Sequence, residues 1–296
     1  MLKRIHIYLA ITCFCLATAL SASDLAAVNF KDIRQKAVFA DAAYKSEAAI
    51  RALVEANGYK LTLYQTIPGI QIAFFLATDD LSKKQIISIR GTSNIENAMV
   101  DVSLKLRNDP DTGVALHEGF AYSAKQVYAE LKPRLELGYK ISLTGHSLGG
   151  AVALILAMFV DADQFDIDQV VTFGQPKVTN IAGAKKIQHI NVTRVVDPRD
   201  LVPLVPLFDP LDVRNIDVYW HAGKEVILLE DNRYAILEGV ASMLRATKFT
   251  QEPLTEANLR NHQMSSYFGL IDARITSSER VSYQTNLNLF NLFGGN

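Results

Sequence analysis

A chain of 296 residues with 49% hydrophobic and 21% charged residues can bury a full core, which excludes an intrinsically disordered segment and fits one large domain. The formal charge of -1, from 30 Lys and Arg against 31 Asp and Glu, offers no electrostatic footprint for nucleic acid or an anionic surface. Only two cysteines occur, Cys13 and Cys15, so the chain beyond them has no disulfide framework, cysteine nucleophile or thiolate metal site.

At the N-terminus, Lys3 and Arg4 precede a 14-residue apolar run from Ile7 to Leu20, followed by the small residues Ser21, Ala22 and Ser23. This pattern predicts a secretory signal peptide over residues 1–23. The run is shorter than the roughly 18 apolar residues a membrane span needs. Neither cysteine suits lipidation, because Thr12 precedes Cys13 and Phe14 precedes Cys15, where a small residue is required. The expected product is a secreted or periplasmic protein of residues 24–296, a single domain with no integral span once the signal is removed.

Phe30 to Tyr44 is alanine-rich with helical spacing, and Ser46 offers an N-cap to a second helix running to Ala56, closed by Asn57-Gly58. Lys60 to Gln65, Gln71 to Ala77 and Gln85 to Arg90 are short β-rich runs separated by Pro68-Gly69 and Asp79-Asp80, as expected of consecutive paired strands. The rhythm then changes. A helix from about Gly119 to Leu135 leads to a strand from Lys140 to Thr144 and a helix from Gly149 to Val160. Strands at Gln169 to Phe173 and Val192 to Val196 follow. Strands alternating with helices predict an α/β fold with a mostly parallel sheet covered on both faces, and the apolar Ile141, Leu143, Val170, Val171 and Val195 suit doubly buried strands. A last strand is expected at Glu225 to Leu229, before a helical tail.

Between the strand ending at Thr144 and the helix opening near Gly149 stands Gly145-His146-Ser147-Leu148-Gly149-Gly150. Strand, turn and helix in that order are the setting of a nucleophile elbow, in which small neighbours let the two backbones nearly touch and leave the serine exposed above the sheet. A serine hydroxyl needs a histidine to accept its proton and a carboxylate to hold the imidazole tautomer, and in this setting the acid precedes the histidine. Two acids stand just past a buried strand. Asp197 precedes Pro198 and suits the start of a turn, whereas Asp200 precedes an apolar run able to bury it, so Asp200 is favoured and Asp197 is the alternative.

Five histidines remain beyond the signal. His117, His146 and His189 precede Asp200, and His146 adjoins the serine with its side chain directed elsewhere. His221 comes before the expected last strand and His262 after it, which favours His262 as base and gives His221 a structural role near Trp220. An oxyanion formed by attack of the serine needs two donors. Leu148 supplies its N–H, and the turn Ile89-Arg90-Gly91-Thr92-Ser93-Asn94 offers Thr92 as the second.

With these residues in place the chain resembles the class 3 (fungal-type) lipase and feruloyl esterase family, whose fold is the α/β-hydrolase fold. Ordered blocks carry the likeness across roughly residues 70 to 270: Arg90-Gly91-Thr92 with Asn94 to Asn97, His117 to Phe120, Thr144 to Ala151, Thr172 to Pro176, Asp200 to Pro203, and His262 with Ser266-Tyr267. By motif, the resemblance makes Ser147 the nucleophile, Asp200 the acid, His262 the base, and Thr92 and Leu148 the oxyanion donors. It also implies an amphipathic lid at residues 95–102. Ala98 stands where strongly interfacial members carry tryptophan, so the expectation is weak interfacial activation, and the missing disulfides suggest a bacterial type.

The implied function is a secreted serine carboxylic ester hydrolase acting on lipid esters through an acyl-enzyme, with no metal or organic cofactor and at most transient contact with a lipid interface. A phospholipase A or a short-chain or feruloyl-type esterase would use the same parts. A non-catalytic lipid-binding relative would have no need of serine, acid, histidine and donors in order.

Overall fold

Two side-chain caps start the fold. Asn29 accepts the Asp32 amide to open α1 (Phe30–Ala42), and Ser46 accepts the Ala49 amide to open α2 (Glu47–Ala56). The molecule is described by a computed structural model over residues 27–92, 105–206, 218–246 and 256–283, so the expected signal peptide and the segment 95–102 lie outside the described residues. Three strands follow the helices: β1 (Lys60–Ile67), β2 (Ile72–Asp79) and β3 (Lys84–Ile89). A short hairpin, β4 (Leu106–Asp109) and β5 (Val114–His117), leads into α3 (Glu118–Leu131). Then come β6 (Lys140–His146), α4 (Leu148–Ala162), β7 (Ile167–Phe173), β8 (Thr179–Asn180), α5 (Ile181–Lys186) and β9 (Val192–Val196). The C-terminal part holds β10 (Tyr219–Trp220), β11 (Lys224–Leu228), β12 (Arg233–Leu237), α6 (Gly239–Ala246), α7 (Glu256–Asn261), α8 (Met264–Asp272) and β13 (Glu279–Arg280).

Nine strands form the main sheet in the order β1-β2-β3-β6-β7-β9-β11-β12-β13. The pairs β3–β6, β6–β7, β7–β9 and β9–β11 are parallel, whereas β1–β2, β2–β3 and β11–β12 are antiparallel. Side chains alternate between the faces of this sheet. Phe74 and Leu76 of β2 join Ile87, Ile89, Ile141 and Leu143 under α3 and α4, while Phe75 and Ala77 turn to the other face with Phe39, Ile50 and Val54 of α1 and α2. Farther along that second face, Phe30, Ile33 and Ala37 of α1 meet Val171, Val195 and Val226, together with Tyr267 and Ile271 of α8. The doubly covered, mostly parallel sheet expected from the alternating pattern is therefore present.

On the α1 face the central strands carry hydroxyls in place of bulky side chains. Ser88 donates to the Phe39 carbonyl at 2.8 Å, and Thr144 donates to the Val171 carbonyl at 2.7 Å and lies 3.3 Å from that of Lys36. Each buried hydroxyl is satisfied by main chain, which lets the helix pack close to the sheet without stranding a donor.

Three expectations change. The strand beginning near residue 225 is not the last, since the turn at Asp231 (φ 59°) folds β12 back on β11 and β13 then pairs with β12. The helix expected to reach Leu135 ends at Leu131, because Pro133 cannot continue it and residues Lys132–Arg134 form one 3-10 turn. A second, four-stranded sheet in the order β10-β8-β5-β4 was not anticipated, its strands being only two to four residues long.

Phe74 is fully buried in the face under α3 and α4. Phe74→Ala is expected to lower the unfolding free energy by about 3–5 kcal/mol, read from denaturant midpoints at constant m.

Candidate active site

The end of β6 sets the geometry. Ser147 takes φ 57° and ψ -132°, a conformation that costs a non-glycine residue about 1–3 kcal/mol and persists only when the surroundings over-determine it. They do so through the main chain. The Ser147 N–H donates to the Phe173 carbonyl at 2.9 Å, tying the turn to β7, and the Ser147 carbonyl accepts from Gly150 N at 2.9 Å and Ala151 N at 3.2 Å, starting α4. At Gly149 the approach of chains is closest, since a Cβ there would fall 2.2 Å from the Ile89 carbonyl oxygen and 2.7 Å from the Arg90 carbonyl carbon. Any side chain would push β3 and α4 apart.

That same contact brings the turn after β3 beside the serine, where a Cβ on Gly91 would lie 3.1 Å from Ser147 Cβ. Thr92, the next residue, is half-buried in this turn, and Leu148 is the first residue of α4, where main-chain amides have no partner within the helix. Both expected oxyanion donors thus belong to segments flanking Ser147.

Of the two acids, Asp200 is the one brought to a histidine. Fully buried, it accepts from His262 Nδ1 at 2.8 Å and from the Tyr267 hydroxyl at 2.6 Å on Oδ2, and from the Val202 N–H at 2.9 Å on Oδ1. Donation from Nδ1 leaves Nε2 of a neutral His262 as the basic nitrogen. Burial and the adjacent Asp200 charge push the Tyr267 phenol well above its usual range, so it remains a donor to the carboxylate. Gly174, at φ 59°, supports the pair from β7, for a Cβ there would lie 2.8 Å from the His262 ring and 2.9 Å from Asp200 Oδ2. Asp197 instead closes its own turn, accepting from the Arg199 amide at 2.9 Å and pairing with the Arg199 guanidinium at 3.0 Å.

Ser147 Oγ and His262 Nε2 are both buried and neither has a hydrogen-bond partner among the described residues. A buried hydroxyl and a buried basic nitrogen left open depart from the rule that interior polar atoms are satisfied, and each such departure calls for an explanation, of which a catalytic role is one. Three of the other histidines lie elsewhere. His221 Nε2 donates to the Pro203 carbonyl at 2.6 Å, His117 caps α3, and His189 pairs with Asp161 at the surface. The sequence shows no role for Tyr267 beyond its place in a motif, because an Asp-to-Tyr contact 67 residues apart has no local signature.

Lys177, fully buried, holds the loop that follows Asp200. Its ammonium donates to the Leu204 carbonyl and, at 3.0 Å, to that of Pro206. Burial, with the Arg245 and Arg194 charges, lowers its pKa to about 7. Among the described residues no group of three or more His, Cys, Asp or Glu side chains is placed to hold a metal ion.

Residues 86–209 match the model of the family described as Lipase (class 3). The secreted mono- and diacylglycerol lipase 1 of Fusarium solani is 33% identical over 144 residues, which cover 46% of this chain and 43% of that protein. A lipase of Rhizomucor miehei is 29% identical over 208 residues, covering 66% and 54%. The chain therefore spans about half the length of these curated relatives. Among solved structures, the lipase of Rhizopus microsporus var. chinensis superposes with a TM-score of 0.57 at 27% identity, over 68% of this chain and 75% of that one. The fold is that of the α/β-hydrolases. No helix among the described residues is long and apolar enough to cross a membrane.

With its pKa near 7 in the fold and near 10.5 unfolded, Lys177 binds fewer protons in the native state throughout that interval. Its contribution to stability therefore rises as pH increases from about 7 to 10. Lys177→Met is expected to flatten that part of the stability profile relative to the parent, measured by urea unfolding at intervals of pH.

Proposed function

Because the chain belongs to the class 3 lipase family of α/β-hydrolases, we propose that it is a serine carboxylic ester hydrolase acting on lipid esters of the acylglycerol type. The observation that carries this reading is the Asp200–His262 pair set beside a strained Ser147 whose hydroxyl has no partner among the described residues.

Ser147 is the nucleophile, His262 the base and Asp200 the acid. As Oγ attacks the ester carbonyl carbon, its proton passes to His262 Nε2, and Asp200 stabilises the resulting imidazolium through Nδ1–H. Negative charge gathers on the former carbonyl oxygen, where the Leu148 N–H with the N–H and hydroxyl of Thr92 receive it. Collapse of the tetrahedral species breaks the bond to the alcohol oxygen, which takes the proton from His262 and leaves. Water then attacks the acyl-serine with His262 again as base, releasing the acid and restoring Ser147. Every proton and charge is handled by these side chains, so the reaction calls for neither metal nor organic cofactor.

Acylglycerol is favoured because a relative of this chain is a mono- and diacylglycerol lipase, and the same protein is a secreted one, in keeping with a signal peptide at residues 1–23. Contact with a lipid interface is transient in this reading, and Ala98 predicts only a modest rise in rate at the solubility limit of the substrate. A panel of chain-length-graded soluble esters, acylglycerol emulsions and phospholipids tests the substrate. A preference for phospholipid or for short esters alone would move the assignment to a phospholipase A or to an esterase.

Ser147→Ala is expected to reduce turnover by on the order of 10⁶ with folding intact, and an active, folded variant would remove the hydrolase reading. Asp200→Asn should cost about 10⁴ in turnover by upsetting the His262 tautomer, whereas Asp197→Asn should act mainly on stability. Thr92→Val should lower turnover by about 10² to 10³, and an unchanged rate would confine Thr92 to its N–H.

A further inference from the structure

The proposed chemistry makes no use of a second histidine at the site. His146, the residue before Ser147, is buried, and its ring lies 4.6 Å from that of His262, centroid to centroid, at 35°. Its Nε2 is 2.6 Å from the main-chain oxygen of His262, and its Nδ1 is 2.9 Å from the Tyr44 hydroxyl. A carbonyl oxygen only accepts, so Nε2 carries the proton of a neutral ring and Nδ1 accepts from the Tyr44 hydroxyl. The Tyr44 oxygen also packs against Gly91, in the turn that presents Thr92, so closely that a Cβ on Gly91 would fall 2.5 Å from it. The donors run in one direction, from Tyr44 to His146 and from His146 to the His262 carbonyl, and the chain starts where Tyr44 packs on Gly91.

We propose that Tyr44 and His146 are positioning residues, forming a hydrogen-bonded strut that fixes the main chain of the base relative to the oxyanion turn across Ser147. The proposal rests on the hydrolase reading above. Elements that are far apart in the chain need such a link, because Tyr44 follows α1, His146 ends β6 and His262 lies between α7 and α8. The Asp200 bond orients the His262 ring, but a bond to a ring nitrogen leaves the backbone beneath it free to shift. The His262 N–H is taken up locally by the Asn258 and Leu259 carbonyls, and its carbonyl is the group that the strut holds. A displacement of about 1 Å between base, nucleophile and oxyanion donors is enough to cost about 10² in rate.

The strut is built to keep its proton order while His262 changes charge. Burial, with His262 next to it, holds His146 well below the usual imidazole range, and burial holds the Tyr44 phenol above its own. Tyr267 is the other titratable ring facing His146, 6.2 Å away between centroids, and it too stays protonated. His146 is therefore a neutral acceptor and donor through the ordinary imidazole range, and it does not compete for the serine proton.

The test compares Tyr44→Phe, His146→Phe and His146→Gln in the full chain, using kcat and KM for a soluble short-chain nitrophenyl ester. Tyr44→Phe and His146→Phe are expected to lower kcat by about 10-fold to 10²-fold with KM within about 2-fold of the parent. His146→Gln places an amide N–H where Nε2–H stood and is expected to recover most of the loss. Thermal midpoints and near-ultraviolet circular dichroism report folding separately. Unchanged kcat in both phenylalanine variants would overturn the strut while leaving the hydrolase reading intact, and so would a glutamine variant no better than phenylalanine. A parent chain that hydrolyses no ester would overturn both. Ring ¹⁵N shifts of His146 provide a readout without turnover: the neutral Nε2–H tautomer is expected to persist as pH falls through the ordinary imidazole value of about 6.5, and a ring that titrates there would overturn the strut by itself.

Discussion

Three stretches of main chain converge at Gly149, where the turn after β3, the end of β6 and the first turn of α4 come within distances that no side chain could share. Much of the site is a consequence of this steric constraint. With β3 and α4 in backbone contact, the link between β6 and α4 has one residue in which to reverse direction, and Ser147 takes up the strain at φ 57°. The start of α4 is aimed back at that residue, which gives Leu148 its place, and the neighbouring β3 turn gives Thr92 its own. The proposed nucleophile and oxyanion donors are thus placed by one close approach, made before any substrate is present, so no reorganisation is needed as charge develops.

The proposed acid and base are placed in another way. Residues 197–206 contain little regular structure, and hydrogen bonds that involve side chains hold them in shape: the Arg199 N–H on the Asp197 carboxylate, the Val202 N–H on that of Asp200, and the Lys177 ammonium on the carbonyls of Leu204 and Pro206. In a dry interior each bond is strong when made and costly when left open, so the loop has few alternatives of similar energy. Asp200 then meets His262 and Tyr267 as three neighbours, two of them donors to one oxygen. The Tyr44–His146 strut extends the same logic from side chain to backbone, since it ends on a carbonyl.

The antiparallel start of the sheet has its own part. β1, β2 and β3 form a meander whose two faces take Phe74 and Phe75 into different cores, so the strands are anchored from both sides before the chain reaches the parallel pairs. β3 is therefore packed on both faces where it leads into Gly91 and Thr92. Helices α1 and α8 lie together on the second face, which brings Tyr44, just past α1, and His262, just before α8, to the same end of the sheet.

Helices, parallel strands and the elbow could be read from sequence, because each is written in a few consecutive residues: an N-cap at Ser46, an apolar strand before Gly145, glycines around Ser147. The apolar run after Asp200, and the place of His262 in the chain order, also point to Asp200 and His262, the pair that lies in contact. Strands of two to four residues carry too few side chains to show a period, so the four-stranded sheet appears only when its members pair, and β12 appears only when the turn at Asp231 returns it to β11. The contacts of Tyr267 with Asp200, of Tyr44 with His146 and of His146 with the His262 carbonyl join residues 67, 102 and 116 positions apart. Local periodicity has no reach over such separations. Packing of α1 and α8 against one face of the sheet decides them, since only the folded chain sets which buried donor meets which acceptor.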